Sequence, residues 1–383
     1  MANSIAALLH GRDNNFNLIR FVAASAVVLD HSFALVAPER AAAAPIDFEA
    51  LELARVAVDI FFIVSGFLVT RSVLIQPTLV DYAVARVLRL FPALLATCVF
   101  IAFLLGPAVT SAPLAQYFSD PRPWLYVPLT ASLITYSLTL PGVFEHLPEA
   151  GVIDQPLWTL RYEVACYILL ALFALVGLLA TRVRASVTLA AIFAVYLFVT
   201  FATPWRQEIA AVDSAMRFVL CFFLGGAFYL YADKIRLDLR IAVALGLAAV
   251  LALGTGAFEM AAKLALAYGV LWFALVPGGF LRRFNRIGDY SYGLYILCFP
   301  IQQTFVVFAP AIGPGALFAC SFPAVLAVAI LSWHFIEHPA LKQKAWAGDS
   351  VGSLLRGGQQ RLTALFGRGA VPKTQRSASS ASG

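Results

Sequence analysis

The chain has 383 residues, 61% of them hydrophobic and only 13% charged, with a net charge of +6 and a mean hydropathy of +0.84. Water-soluble domains carry about 25% charged residues, so this chain has too little polar surface to cover a globule in water, and the bilayer is its natural solvent. Its basic residues lie in short clusters between apolar runs, a pattern of membrane topology rather than of a nucleic-acid surface.

A membrane-crossing helix needs about 20 mostly apolar residues. Ten such segments follow in chain order: 16–36, 53–75, 84–107, 156–180, 187–203, 212–232, 240–257, 260–277, 288–309 and 315–337. The first starts near Asn17 with no small-residue cleavage site after it, which predicts a retained helix rather than a signal peptide. The one long connection, 108–155, is rich in Pro and aromatics (Pro121, Pro123, Trp124, Tyr126, Pro128, Tyr136, Pro141), and around 124–140 it is apolar enough to lie in the interface or re-enter.

Loop charges fix the count. Arg12, Arg71 with Arg86, Arg182 with Arg184, Lys234 with Arg236 and Arg240, Arg282 with Arg283 and Arg286, and Lys342 with Lys344 mark every second connection. The alternate loops carry acids such as Glu39, Asp47, Glu49, Glu145 and Glu149. The positive-inside rule then places both termini in the cytosol, which ten helices satisfy and eleven do not. Residues 1–340 read as one all-α, polytopic membrane domain. Residues 341–383, rich in Gly, Ser, Arg and Gln and ending SASSASG, read as a disordered cytosolic tail.

Cys98, Cys166, Cys221, Cys298 and Cys320 each sit in an apolar run without CxxC spacing, and no Cys/His cluster suggests zinc, so no metal site is expected. Charge inside a bilayer is expensive, so ionisable residues within the apolar segments are functional candidates by default. They are Arg20, Asp30, His31, Asp59, Arg86, Arg89, Glu163, Arg217, Asp289 and Glu337. With the predicted topology His31, Asp59 and Glu163 fall on three helices at one depth, roughly 8–11 Å below the outer rim. That arrangement suggests a catalytic His/acid cluster; the bland alternative is unrelated polar residues in helix packing. Asp30, about 100° round the helix from His31, has its partner elsewhere. Arg20 lies near the cytosolic end of the first helix. Arg86 and Arg89 share one face of the third by their i, i+3 spacing. Guanidinium forks suit phosphate, whereas simple positive-inside anchoring explains Arg86 equally well. Pro92, one turn on, could kink this helix.

Several segments resemble the acyltransferase 3 family, and within it the O-acetylases of bacterial surface polysaccharides. NNFNLIRFVAASAVVLDHS resembles the family's first helix, with Arg20 and His31 separated by ten positions. VAVDIFFIVSGFLVTRS resembles the second, with Asp59, Ser65 and Gly66. RVLRLFP carries the Arg-x-x-Arg element, and QPLWTLRYEVACY the Trp followed by Glu, here Trp158 and Glu163. DYSYGLYILCFPIQQ and HFIEHPAL resemble the last two helices. The likeness spans about 14–340. It departs at Val164, where many relatives have a second acid, and at Cys298, where many have His.

The resemblance implies transfer of an acyl group, chiefly acetyl, from cytosolic acetyl-CoA or another acyl-CoA to a hydroxyl of a cell-surface or lipid-linked glycan, at the bacterial cytoplasmic membrane. Arg20, Arg86 and Arg89 would hold the CoA phosphates. His31 would act as general base or as a transient acyl carrier, and Asp59 or Glu163 would orient its ring. Trp158, Trp124 and the tyrosines of 124–136 would offer a sugar-stacking surface; an aromatic belt explains them equally well. The competing class is a glycan or lipid transporter, which also wants pore-lining charge. An acyltransferase acting on lipid is a third reading.

Overall fold

The computed structural model describes residues 4–9, 11, 13–36, 52–76, 78–135, 138–202, 209–344, 346–348 and 350. Arg12, Glu39, Asp47, Glu49, Tyr136 and the tail from 351 onward lie outside them. Each predicted apolar segment is a helix: α1 (Phe16–Ala34), α2 (Leu53–Ile75), α3 (Leu79–Val109), α4 (Gln155–Leu175), α5 (Arg182–Ala202), α6 (Ala210–Leu230), α7 (Leu239–Leu251), α8 (Phe258–Leu275), α9 (Ser291–Phe308) and α10 (Pro314–Lys342). Nine of these are long and apolar enough to cross a bilayer. Among the described residues the chain is therefore an all-α polytopic membrane protein. Its β structure there is one isolated bridge, Ser4 to Arg236.

The exception is α7. With 13 residues it reaches about 20 Å, short of a hydrocarbon core of about 30 Å. The predicted 240–257 is cut short because the chain turns after Leu251, where Gly254 takes a φ of +76°. That conformation suits glycine and disrupts a helix. In contrast α3 starts earlier than predicted. Thr78 caps it, accepting from the Asp81 amide at 3.1 Å while donating to the Asp81 carboxylate at 2.7 Å, a capping box written in the sequence. It runs on past Pro92 and through a π-turn at Ile101–Leu105. The Tyr117 hydroxyl donates to the Ala102 carbonyl there at 2.7 Å.

Tyr117 belongs to two short helices, Leu114–Ser119 and Arg122–Ala131, that fill the long connection. They bury Tyr117 and Tyr126 and leave Leu114, Phe118, Trp124 and Leu125 exposed. The composition leaves an interfacial or a re-entrant element open here; the segment forms two short helices with an exposed apolar face. The segment after it is pinned by α9: Gln303 donates to the Val152 carbonyl at 2.7 Å, and the Tyr295 hydroxyl to the Pro156 carbonyl at 3.1 Å.

The basic loops share one end of the bundle. The Ile5 amide meets the Ile235 carbonyl, Asn15 donates to the carbonyls of Phe273 and Pro277, Asp13 pairs with Arg282, and Arg182 pairs with Asp233. At the other end Asp30 accepts from the Ala54 amide at 3.1 Å and caps α2 from a neighbouring helix. This is the separate partner its position off the His31 face required.

Helices in lipid gain little from hydrophobicity and hold together by close packing and polar links. The pair α2–α6, the most extensive helix contact in the fold, uses both. A Cβ at Gly66 would stand 1.8 Å from the Phe222 carbonyl oxygen, and one at Gly225 2.1 Å from that of Ile63. Only glycine permits this approach. Phe62 stacks on Phe218 beside it at 4.3 Å. The polar link is Asp59, which is 1% exposed. Its carboxylate takes Arg217 Nε of α6 at 2.7 Å and Lys263 Nζ of α8, with Cys221 Sγ at 3.5 Å.

Candidate active site

A cavity of about 400 Å³ opens among α1, α2, α3, α4 and α9 and is closed at one side by the end of α10. Its charged lining is Arg20, Arg86, Arg89, Glu163 and Lys344, and its polar lining includes Ser65, Thr159, Tyr167, Ser291, Tyr292 and Tyr295. Arg86 and Arg89 both reach it because three residues is nearly one helical turn. Four of the six residues expected from sequence to hold the donor or carry the chemistry thus meet in one place: Arg20, Arg86, Arg89 and Glu163.

Each is held differently. Arg20 pairs with Asp289, and Arg89 pairs with Asp289 at 2.7 Å and with Glu337 at 3.2 Å. Glu337 accepts from Ser332 at 3.1 Å, and Asp289 also accepts from Ser291. Two partly buried guanidiniums and two buried carboxylates from α1, α3, α10 and the start of α9 therefore form one lattice with no formal net charge. Arg86 stands apart. Its guanidinium lies 5.7 Å from the Tyr167 ring centre, and its buried Nε has no hydrogen-bond partner among the described residues. Glu163 accepts from Ser65 at 3.1 Å and from the Tyr167 hydroxyl, which also touches Ser65 at 3.1 Å. This carboxylate is held by neutral hydroxyls opposite a cation.

His31 and Asp59 lie outside the cavity lining, and among the described residues no hydrogen bond or ion pair joins His31, Asp59 and Glu163 to one another. The structure does not join the three residues expected to cluster, and for Asp59 helix rotation accounts for it. Asp59 and Ser65 are six residues apart on α2, which turns them about 120° away from each other. Ser65 faces the cavity, and Asp59 faces α6 and α8, where Arg217 and Lys263 occupy both its oxygens. His31 shares the face of Arg20, since eleven residues make three turns and about 20°, and lies about 16 Å further along α1. Its ring stands edge-on to Phe299, 5.2 Å between centres. Phe299 is one turn beyond Tyr295, which lines the cavity and contacts Thr159 at 2.7 Å. Tyr295 thus sits in the cavity wall one helical turn from the residue that His31 meets.

Several cavity residues were not singled out from sequence, Tyr167, Tyr295 and Lys344 among them. Tyr167 follows Glu163 by one helical turn, and Tyr295 sits in the α9 motif, so spacing could have found both. Lys344 lies past the last span and looks like topology charge. Lys263, inside the apolar run of α8, was legible as an intramembrane charge but escaped the candidate set. Trp158 packs on Tyr162 and Phe218 rather than on Trp124, which stands with Phe103 and Phe118, so the two tryptophans belong to separate clusters. Among the described residues no group of three or more His, Cys, Asp or Glu side chains could hold a metal.

The arrangement provides a cationic vestibule at the basic end, a carboxylate opposite, and a histidine further along the same helix face. Residues 13–334 match the acyltransferase 3 family, described as an acyltransferase domain. The chain is 28% identical over 337 residues to an O-acetyl transferase of Shigella phage Sf6, covering 85% of this chain and 95% of that protein. It is 26% identical over 355 residues to nodulation protein 10 of Rhizobium leguminosarum bv. viciae, covering 87% and 94%. No solved structure matches it. The chain belongs to the acyltransferase 3 family and is an O-acyltransferase embedded in a membrane.

Proposed function

We propose that the enzyme moves an acyl group, chiefly acetyl, from acyl-CoA to a hydroxyl of a surface or lipid-linked glycan. The observation that carries this reading is the cavity with Arg20, Arg86, Arg89 and Lys344 in its wall, at the end that the positive-inside rule assigns to the cytosol of a bacterial inner membrane. A phosphate-bearing donor enters there, and its acyl arm runs past Tyr295 toward His31. His31 takes the proton of the acceptor hydroxyl as general base, the oxygen attacks the thioester carbonyl, and the thiolate leaves and is protonated. Glu163, held by Ser65 and Tyr167, balances charge along the arm. Asp59 acts on the fold, through α6 and α8, rather than on the His31 ring.

The relative named O-acetyl transferase supports the acetyl group as the first donor to try. The test uses inverted membrane vesicles given acetyl-labelled CoA. Label is expected in a glycan or lipid-linked glycan fraction. Label confined to phospholipid would redirect the acceptor to lipid. No incorporation from acetyl-CoA or longer acyl-CoA, with glycan crossing the membrane all the same, would favour transport.

A further inference from the structure

The cavity holds two kinds of cation. Arg20 and Arg89 are neutralised by Asp289 and Glu337 in the buried lattice, so an incoming anion meets little uncompensated charge on them. Among the described residues Arg86 has no such partner: it rests on the Tyr167 ring, and its buried Nε has no acceptor there. Lys344 shares the cavity wall with it.

Lys344 comes from the chain after the membrane domain. The helix end does not stop at 340: α10 runs to Lys342, and Gly348 lies against the first turn of α3. There a Cβ on Gly348 would stand 2.4 Å from an Asp81 carboxylate oxygen. This contact delivers Lys344 to the cavity mouth. Burial and the neighbouring Arg86 charge hold the Lys344 ammonium below its ordinary value, and Asp81 opposes them. Two like charges side by side, one with an unused donor, cost free energy that a bridging anion recovers.

We infer that Arg86 and Lys344 form a two-cation clamp for a phosphate group of the donor, while Arg20 and Arg89 serve as a fixed lattice that positions the helices around it. The inference rests on the proposed acyl-CoA donor and adds a residue from beyond the membrane domain to the donor site. Arg86 supplies the planar fork, and Lys344 a mobile point charge. Lys344 is therefore part of the site.

The test measures binding of CoA and of phosphate-free pantetheine to the purified full-length protein, by calorimetry in detergent. Lys344→Gln and Arg86→Gln are each expected to weaken CoA roughly 10- to 100-fold and to leave pantetheine unchanged. Lys344→Arg is expected to restore most of the loss. Wild-type CoA affinity in Lys344→Gln would overturn the clamp. Equal losses for CoA and pantetheine would also overturn it, because they would mean a disturbed cavity rather than a lost phosphate contact. A wild-type protein that binds neither CoA nor acetyl-CoA would remove the donor reading itself, and the clamp with it.

Discussion

His31→Ala is expected to lose acyl transfer by about 10²- to 10⁴-fold, the usual contribution of a positioned general base, while acetyl-CoA still raises its thermal midpoint as it does for the wild type. The split follows from placement. The cations that meet the donor surround the cavity at the basic end. His31 stands about 16 Å away along α1, outside the lining and against Phe299. A ligand that stabilises the folded state does so in proportion to its binding, and His31 touches none of the groups that would bind it. Turnover measured in vesicles, paired with a thermal shift on purified protein, separates the two effects. Unchanged turnover would take His31 out of the chemistry. A lost thermal shift would mean that the residue shapes the donor site and has been assigned to the wrong step.

Asp289→Ala is expected to cost about 3–5 kcal/mol of stability, the cost of breaking a buried ion pair by removing one partner. Asp289 is the shared partner of Arg20 and Arg89, so its loss leaves Glu337 to pair with Arg89 and strips the partly buried Arg20 of its carboxylate. Those guanidiniums come from α1 and α3, and Asp289 precedes α9, so the lattice ties three helices at the cavity floor. Thermal unfolding in detergent reads the effect directly. Asp289→Glu, which keeps the charge, should fall between the two. An Asp289→Ala protein as stable as the wild type would show that the lattice contributes geometry alone.

The helices were legible because their signal is local. A run of about 20 apolar residues is set by bilayer thickness and the rise per residue, and all ten runs became helices. The misjudged ends have local causes too: the Thr78–Asp81 capping box that starts α3 early and the turn at Gly254 that stops α7. The site was legible in part. Spacing alone puts Arg86 beside Arg89 and Arg20 under His31. Pairing across helices was hidden, because Arg20 and Asp289 are 269 positions apart and Arg89 and Glu337 are 248 apart. Depth could be inferred for Asp59 from the topology, but the face could not, so a residue that joins α2 to α6 and α8 was grouped with His31. Lys344 was hidden for a different reason: a basic residue after a last span has an adequate topological explanation, and only the packing of Gly348 on α3 brings it into the cavity.

The Asp59 link also constrains the order in which the protein is made. Arg217 follows Asp59 by 158 positions and Lys263 by 204. At 5–20 residues per second the ribosome completes them roughly 10–40 s after α2 emerges. Until then α2 carries an acid without these two partners, which costs about 2.5–3.5 kcal/mol near the centre of a bilayer. A nascent chain stopped after α5 therefore exposes a mark of incompleteness that the finished protein conceals. In pulse-chase labelling such a truncated chain should be cleared quickly, and the same truncation carrying Asp59→Asn should persist longer; equal lifetimes would show that quality control does not read this charge.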